Sequence, residues 1–252
     1  MAWQVIDVSR YQGTIDFVKV KAAGISGVIL RAGIGSYSTG ECQTDSRFYD
    51  NIAGCANVGL PVGAYYFTQA QTVDEARNEA RYLVNLVKNY DVTLPLVYDI
   101  ESAGRIVSNS KATNTANALA FCEEIRAMGY TPCVYTYRNF FNSSIDENAL
   151  RAAGIDLWVA HYTTASHPEY ASHYALWQYS SSAKVAGIEG NVDINYCYKD
   201  YFKGGKSMAT FVPRTTAPST TDKNWISVKY GGYNHAMVIN SSTGAVIPNC
   251  TG

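Results

Sequence analysis

Leu94-Pro95-Leu96-Val97-Tyr98-Asp99-Ile100-Glu101 reads as a buried β-strand that runs out into two carboxylates. Leu94–Ile100 is a short, nearly continuous apolar run, the pattern of a strand in the middle of a sheet. Side chains two apart on a strand point to the same face, so Asp99 and Glu101 converge on one small volume at the strand's end. Two acids sharing a cleft is the equipment of glycoside hydrolysis.

The flanks of this strand set the architecture. Upstream, Thr72-Val73-Asp74-Glu75 is a capping box, followed by Ala76, Ala80, Leu83, Val84 and Val87 at helical spacing. Downstream, the segment from Lys111 to Met128 reads as a helix that stops at Gly129, and Pro132–Tyr137 as the next strand. Farther out, Gln4–Val8, Gly27–Ala32, Pro61–Phe67, Asp156–Tyr162, Tyr174–Tyr179 and Asn191–Asn195 complete a set of eight strands. Thr14–Ala23 and Asp45–Val58 read as shorter helices, and Ser144-Ile145-Asp146-Glu147 repeats the capping signal ahead of Leu150. Strand then helix, five times over, calls for a parallel sheet. The gaps from Tyr162 to Tyr174 and from Tyr179 to Asn191 are short and lack helical periodicity, so the last three strands are expected to connect by loops or hairpins. The predicted fold is an α/β barrel related to the (β/α)₈ type without its late helices, with chemistry at the C-terminal strand ends.

With 252 residues and 47% hydrophobic content, the chain can bury one large core plus a small appendage. A net charge of −1 supplies no basic face for nucleic acid and no polybasic stripe for a membrane, so neither partner is expected. The start, Met1 to Asp7, has no basic region followed by an apolar stretch, and no long apolar run occurs, so neither a signal peptide nor a membrane span is expected. Six cysteines without a C-x-x-C and four histidines (His161, His167, His173, His235) without ligand spacing point to no metal and no cofactor. Twenty tyrosines and four tryptophans supply rings that can stack on sugar faces.

Acidic residues recur where the barrel places strand ends: Asp7 after the first strand, Asp99 and Glu101 after the fourth, Asp193 in the eighth. In a closed barrel the first and eighth strands are neighbours, so Asp7 and Asp193 lie near each other, with the fourth strand facing them. Crowded like charges raise the pKa of at least one member, which then acts as a general acid near neutral pH. Glu101, with the longer reach, is the expected proton donor, and Asp99 its ionised partner. Tyr65, Tyr66, Tyr135, His161, Tyr162, Trp177 and Gln178 are the candidates for the sugar-binding wall.

Five ordered motifs carry a family resemblance: Asp7-Val8-Ser9-Arg10-Tyr11-Gln12-Gly13, Val97-Tyr98-Asp99-Ile100-Glu101, Asp156-Leu157-Trp158-Val159-Ala160-His161-Tyr162, Leu176-Trp177-Gln178-Tyr179 and Val192-Asp193-Ile194-Asn195. Over roughly residues 3–202 the chain resembles glycoside hydrolase family 25, the muramidases (lysozymes) of bacteria, fungi and phages. The resemblance implies an irregular (β/α)₅(β)₃ barrel that hydrolyses the β-1,4 bond between N-acetylmuramic acid and N-acetylglucosamine in peptidoglycan. Carried over by motif, Glu101 is the general acid and Asp99 its partner, with Asp7 and Asp193 as further active-site carboxylates. Asp99 then orients the substrate's own 2-acetamido group as it attacks the anomeric carbon, giving net retention. The same acids could instead position a water for inversion, and the carboxylate separation decides between the two. The alternatives are another substrate-assisted hexosaminidase, chitinase-like, or an inactive peptidoglycan-binding barrel. A missing signal peptide fits a phage or prophage lysin released onto the wall by a holin, or secretion by a non-signal route.

The barrel is expected to fill residues 1–203, with a linker over 204–224 and a short tail over 225–252. Gly231-Gly232-Tyr233-Asn234-His235 through Pro248-Asn249-Cys250 resembles the opening of CHAP-type cysteine peptidases and amidases, in which the cysteine after Pro-Asn is the nucleophile. No downstream histidine is present to activate Cys250. The tail is read either as the truncated start of a second wall-cleaving domain or as a wall-binding or linker appendage.

Overall fold

The structure is a computed structural model that describes residues 2–168, 170 and 173–202, and the backbone of three further strands over 225–229, 236–240 and 246–250. It divides into two units, Met1–Lys206 and Ser207–Gly252. Nine strands are described in the first: β1 (Trp3–Val8), β2 (Gly27–Gly35), β3 (Cys42–Thr44), β4 (Val62–Phe67), β5 (Val92–Asp99), β6 (Pro132–Tyr137), β7 (Asp156–Ala160), β8 (Leu176–Ala183) and β9 (Val192–Cys197). Eight of them close into a barrel in the order β1-β2-β4-β5-β6-β7-β8-β9 and back to β1. All neighbours from β1 round to β8 run parallel, and β9 is antiparallel to both β8 and β1.

Helices cross over after each of the first five barrel strands: α1 (Phe17–Ala22), α2 (Phe48–Val58), α3 (Val73–Val87), α4 (Lys111–Ala127), and the short pair α5 (Phe140–Ser143) and α6 (Glu147–Ala152). No helix is described between β7 and β8 or between β8 and β9, as the aperiodic gaps predict. Thr72 caps α3 by accepting from Glu75 N at 3.2 Å, and the Glu75 carboxylate accepts from Gln71 N at 2.7 Å. Ser144 does not start a helix. It ends α5, and Asp146 caps α6 by accepting from Asn148 N at 3.0 Å and Ala149 N at 3.3 Å. The helix expected from Asp45 begins only at Phe48: Asp45 Oδ2 holds Arg31 Nε at 2.7 Å and Arg10 N at 3.2 Å, while its Oδ1 accepts from Arg47 N at 2.9 Å in the turn that leads into the helix.

Strand alternation divides the core in two. Val5, Ile29, Val97, Cys133, Trp158 and Leu176 fill the barrel interior. The next residues along, among them Ile6, Val28, Tyr98 and Val159, face outward under the helices with Leu83 and Phe121. Tyr98 meets the Phe121 ring at 4.8 Å between centroids. Gly63 is forced by closeness: a Cβ there would sit 2.7 Å from the Pro95 carbonyl oxygen, beside the bulge between β4 and β5.

Strand β3 went unread, being a three-residue partner antiparallel to the end of β2, too short for alternation to register. In the second unit, Trp225–Lys229, Ala236–Asn240 and Val246–Cys250 form an antiparallel three-stranded sheet. The expected linker over 204–224 and His235 lie outside the described residues, as does the Cys250 side chain. Among the described residues no helix is long and apolar enough to cross a membrane.

Candidate active site

The C-terminal ends of the parallel strands surround a cleft of about 580 Å³. Four carboxylates line it: Asp7 at the end of β1, Asp99 at the end of β5, Glu101 just beyond, and Asp193 on β9. Antiparallel β9 brings its first residues to this rim, and the register sets Asp193 directly opposite Asp7. Asp99 and Glu101 share a face, as their spacing requires, while Tyr98 and Ile100 point into the helix layer.

Asp7 is buried and its Oδ2 accepts twice, from Asn195 Nδ2 at 2.8 Å and Gln178 Nε2 at 3.1 Å. Its pKa is pushed up to about 8, first by burial and then by the Asp193 charge, against the opposing pull of those two hydrogen bonds. Burial is also the main force raising Asp99, followed by the charges of Glu101 and Asp7, with Arg31 opposing. Glu101, half-buried, is raised by burial and by Asp193. Asp193 is raised by burial, with a hydrogen bond to Asp7 opposing. An acid whose pKa is raised this way keeps a proton; Asp99 is raised as well, against the expectation that it stays ionised beside Glu101, and Glu101 is the one on the rim with the longest reach. Asp99 Oδ1 is buried without a hydrogen-bond partner among the described residues, and the Asp99 side chain lines the cleft beside Glu101.

Of the expected sugar wall, Tyr65, Tyr135, His161, Tyr162 and Gln178 line the cleft. Tyr135 and Tyr162 each donate a hydroxyl to Gln178 Oε1 at 2.8 Å. Tyr66 and Trp177 do not line it. Each directly adjoins an inward residue, Tyr65 or Gln178, and alternation turns it outward. Tyr66 is fully buried under the helices near Tyr82, and Trp177 packs against Tyr179 and Tyr196 while donating its indole N–H to the His161 carbonyl at 2.8 Å. Cleft residues the sequence reading did not single out include Arg31, Trp158 and Arg138. Asn195 lies directly behind Asp7, and its signal was there to use, since it stands two residues beyond Asp193 on the same face.

The strand that carries the acids is anchored from behind. Thr68 N, just after β4, donates to the Asp99 carbonyl at 2.9 Å. Its hydroxyl donates to Glu79 Oε2 on α3 at 2.6 Å, and Gln69 N donates to Glu79 Oε1 at 3.0 Å. Glu79 is buried, and burial raises its pKa from the ordinary 4.5 to about 8. The folded protein thus holds a proton here that the unfolded chain releases above about pH 4.5, so this contribution to stability is complete in acid and lost as pH rises toward 8. Glu79→Gln cannot ionise, and the fall in melting temperature between pH 5 and pH 9 is expected to be smaller than in the parent. An equal fall in both proteins contradicts this assignment.

Residues 6–188 match the family described as Glycosyl hydrolases family 25. The chain belongs to this family. The chain is 28% identical over 200 residues to the autolytic lysozyme of Clostridium acetobutylicum, covering 79% of this chain and 57% of that protein. It is 31% identical over 193 residues to a lysozyme of Lactococcus phage mv1, covering 71% of this chain and 90% of that one. Among solved structures, the modular autolysin LytC from Streptococcus pneumoniae in complex with a synthetic peptidoglycan ligand matches with a TM-score of 0.67 and 28% identity, covering 78% of this chain and 47% of that one. The chain therefore spans little more than half of the clostridial lysozyme and less than half of LytC.

Proposed function

We propose that this family 25 chain is a lysozyme that hydrolyses the β-1,4 bond between N-acetylmuramic acid and N-acetylglucosamine in peptidoglycan. The observation that carries the reading is the convergence of Asp7, Asp99, Glu101 and Asp193 on one cleft at the C-terminal strand ends. Glu101 protonates the glycosidic oxygen as the bond breaks. Asp99, which lines the cleft, accepts the N–H of the 2-acetamido group, orients that group for attack on the anomeric carbon and, as the anion, stabilises the positive charge that develops on it. Water then opens the cyclic intermediate, Glu101, now a base, takes a proton from that water, and the configuration is retained. Tyr65, Tyr135, His161 and Tyr162 supply ring faces and polar edges for the sugars.

In this reading the protein acts on the bacterial wall, and its similarity to a phage lysozyme supports a phage or prophage lysin. The test is incubation with purified peptidoglycan. Soluble fragments with new reducing ends are expected, whereas tight binding without any new reducing end would make the barrel a binding module.

A further inference from the structure

Asp7 and Asp193 face each other across β1 and β9 on the inward side of the barrel. Two carboxylates so placed cannot both stay ionised at low cost, and sharing one proton relieves the repulsion. Which oxygen carries that proton is settled by the amide behind them. Asn195 is fully buried, and its Oδ1 accepts the indole N–H of Trp158 at 2.8 Å. An indole N–H can only donate, so the amide cannot turn over without setting its NH₂ against that N–H. Its Nδ2 is therefore committed to the Val5 carbonyl at 3.1 Å and to Asp7 Oδ2 at 2.8 Å. Gln178 Nε2 adds a second donor to the same oxygen at 3.1 Å. With Oδ2 occupied by two N–H groups, Oδ1 is left as the proton site on Asp7.

We infer that Asn195, locked by Trp158, is a positioning residue that fixes the Asp7 proton on Oδ1 and directs it to Asp193, making the two acids one proton-sharing pair behind Glu101. For its place in the reaction this inference rests on the muramidase reading. The Asp7 proton stabilises Asp193 as the anion, and that anion raises the pKa of Glu101, so that the general acid keeps its own proton. Other charged and titratable groups face the pair. Strand β5 presents Asp99 and Glu101, β2 presents Arg31, and Tyr65, Tyr135 and Tyr162 come from β4, β6 and the segment after β7. His161 and Arg138 also line the cleft. Of the groups around Glu101, Asp193 is the charge that raises it.

Trp158→Phe keeps an aromatic ring but removes the N–H-bearing half of the buried indole, freeing the Asn195 amide to turn. Asn195→Ser is the second variant, shortening the donor beyond reach of Asp7. Carboxyl ¹³C NMR titration of the full chain reads each acid without requiring turnover. In either folded variant the Asp193 midpoint is expected to rise and the Glu101 midpoint to fall by about 0.5–1 pH unit. The alkaline limb of kcat/KM on peptidoglycan moves down with Glu101. Midpoints for both acids that stay at their parent values in a folded variant overturn the inference, even where kcat drops. If the parent protein releases no reducing ends, the muramidase reading fails, and the titrations still decide whether the pair exists.

Discussion

Glu101→Gln is expected to lower the rate of peptidoglycan cleavage by at least roughly 10²–10⁴-fold, the range that general acid catalysis supplies. Glutamine preserves the length and shape of the side chain but cannot deliver a proton to the leaving oxygen. Glu101 lies half-buried on the rim of the cleft, outside the packed core, so the substitution leaves the fold intact. The loss should appear in kcat with little change in KM, because the proton moves only as the bond breaks. The pH profile supplies a second readout. In the parent protein, rate is expected to fall in alkali as Glu101 gives up its proton, with burial and the Asp193 charge placing that limb above the ordinary glutamate range. The residual rate of Glu101→Gln should lack the limb. Near-parent activity in the variant would remove Glu101 from its role.

Asp99→Asn is expected to cost about 10²–10³-fold in kcat, comparable to removing one pre-placed group from a developing charge. The carboxyl group is buried and lines the cleft, and in such a site an anion formed beside the acetamido group as that group turns positive stabilises it far more than it would in water. The Glu101 charge raises Asp99, so the two acids are linked and neutralising Asp99 is also felt by Glu101. Asp99→Asn and Asp193→Asn should therefore both move the alkaline limb down, and the large loss of kcat at the optimum belongs to Asp99→Asn. Were Asp193→Asn to cost as much in kcat as Asp99→Asn, the division of labour between the acids would be wrong.

The barrel was legible in the sequence because its strands are covered on both faces and its crossovers are helical. Leu94–Ile100 and its seven counterparts stand out as apolar runs, and Thr72 with Glu75 marks a helix start that the structure keeps. Less legible were features that depend on a partner distant in sequence. Asp45 reads as a helix start, and in the fold it holds the turn before the helix through Arg47 N while also pairing with the distant Arg31; Ser144 reads as a start until Asp146 provides the better cap. The four acids were legible because strand ends and a period of two locate them. The walls of the cleft were only partly so. Tyr65 and Tyr66, or Trp177 and Gln178, are chemically plausible neighbours, and the register alone decides which member of each pair faces inward. The Trp158 to Asn195 to Asp7 chain joins β7, β9 and β1, and the pairing of β9 with β1 closes it.

The most direct test of the muramidase assignment is the identity of the sugar at the new reducing end. Purified peptidoglycan is digested with the protein, the products are reduced with borohydride, and the reduced terminal residue is identified by mass spectrometry. Cleavage of the bond assigned here predicts reduced N-acetylmuramic acid at every new end, and reduced N-acetylglucosamine there would contradict it.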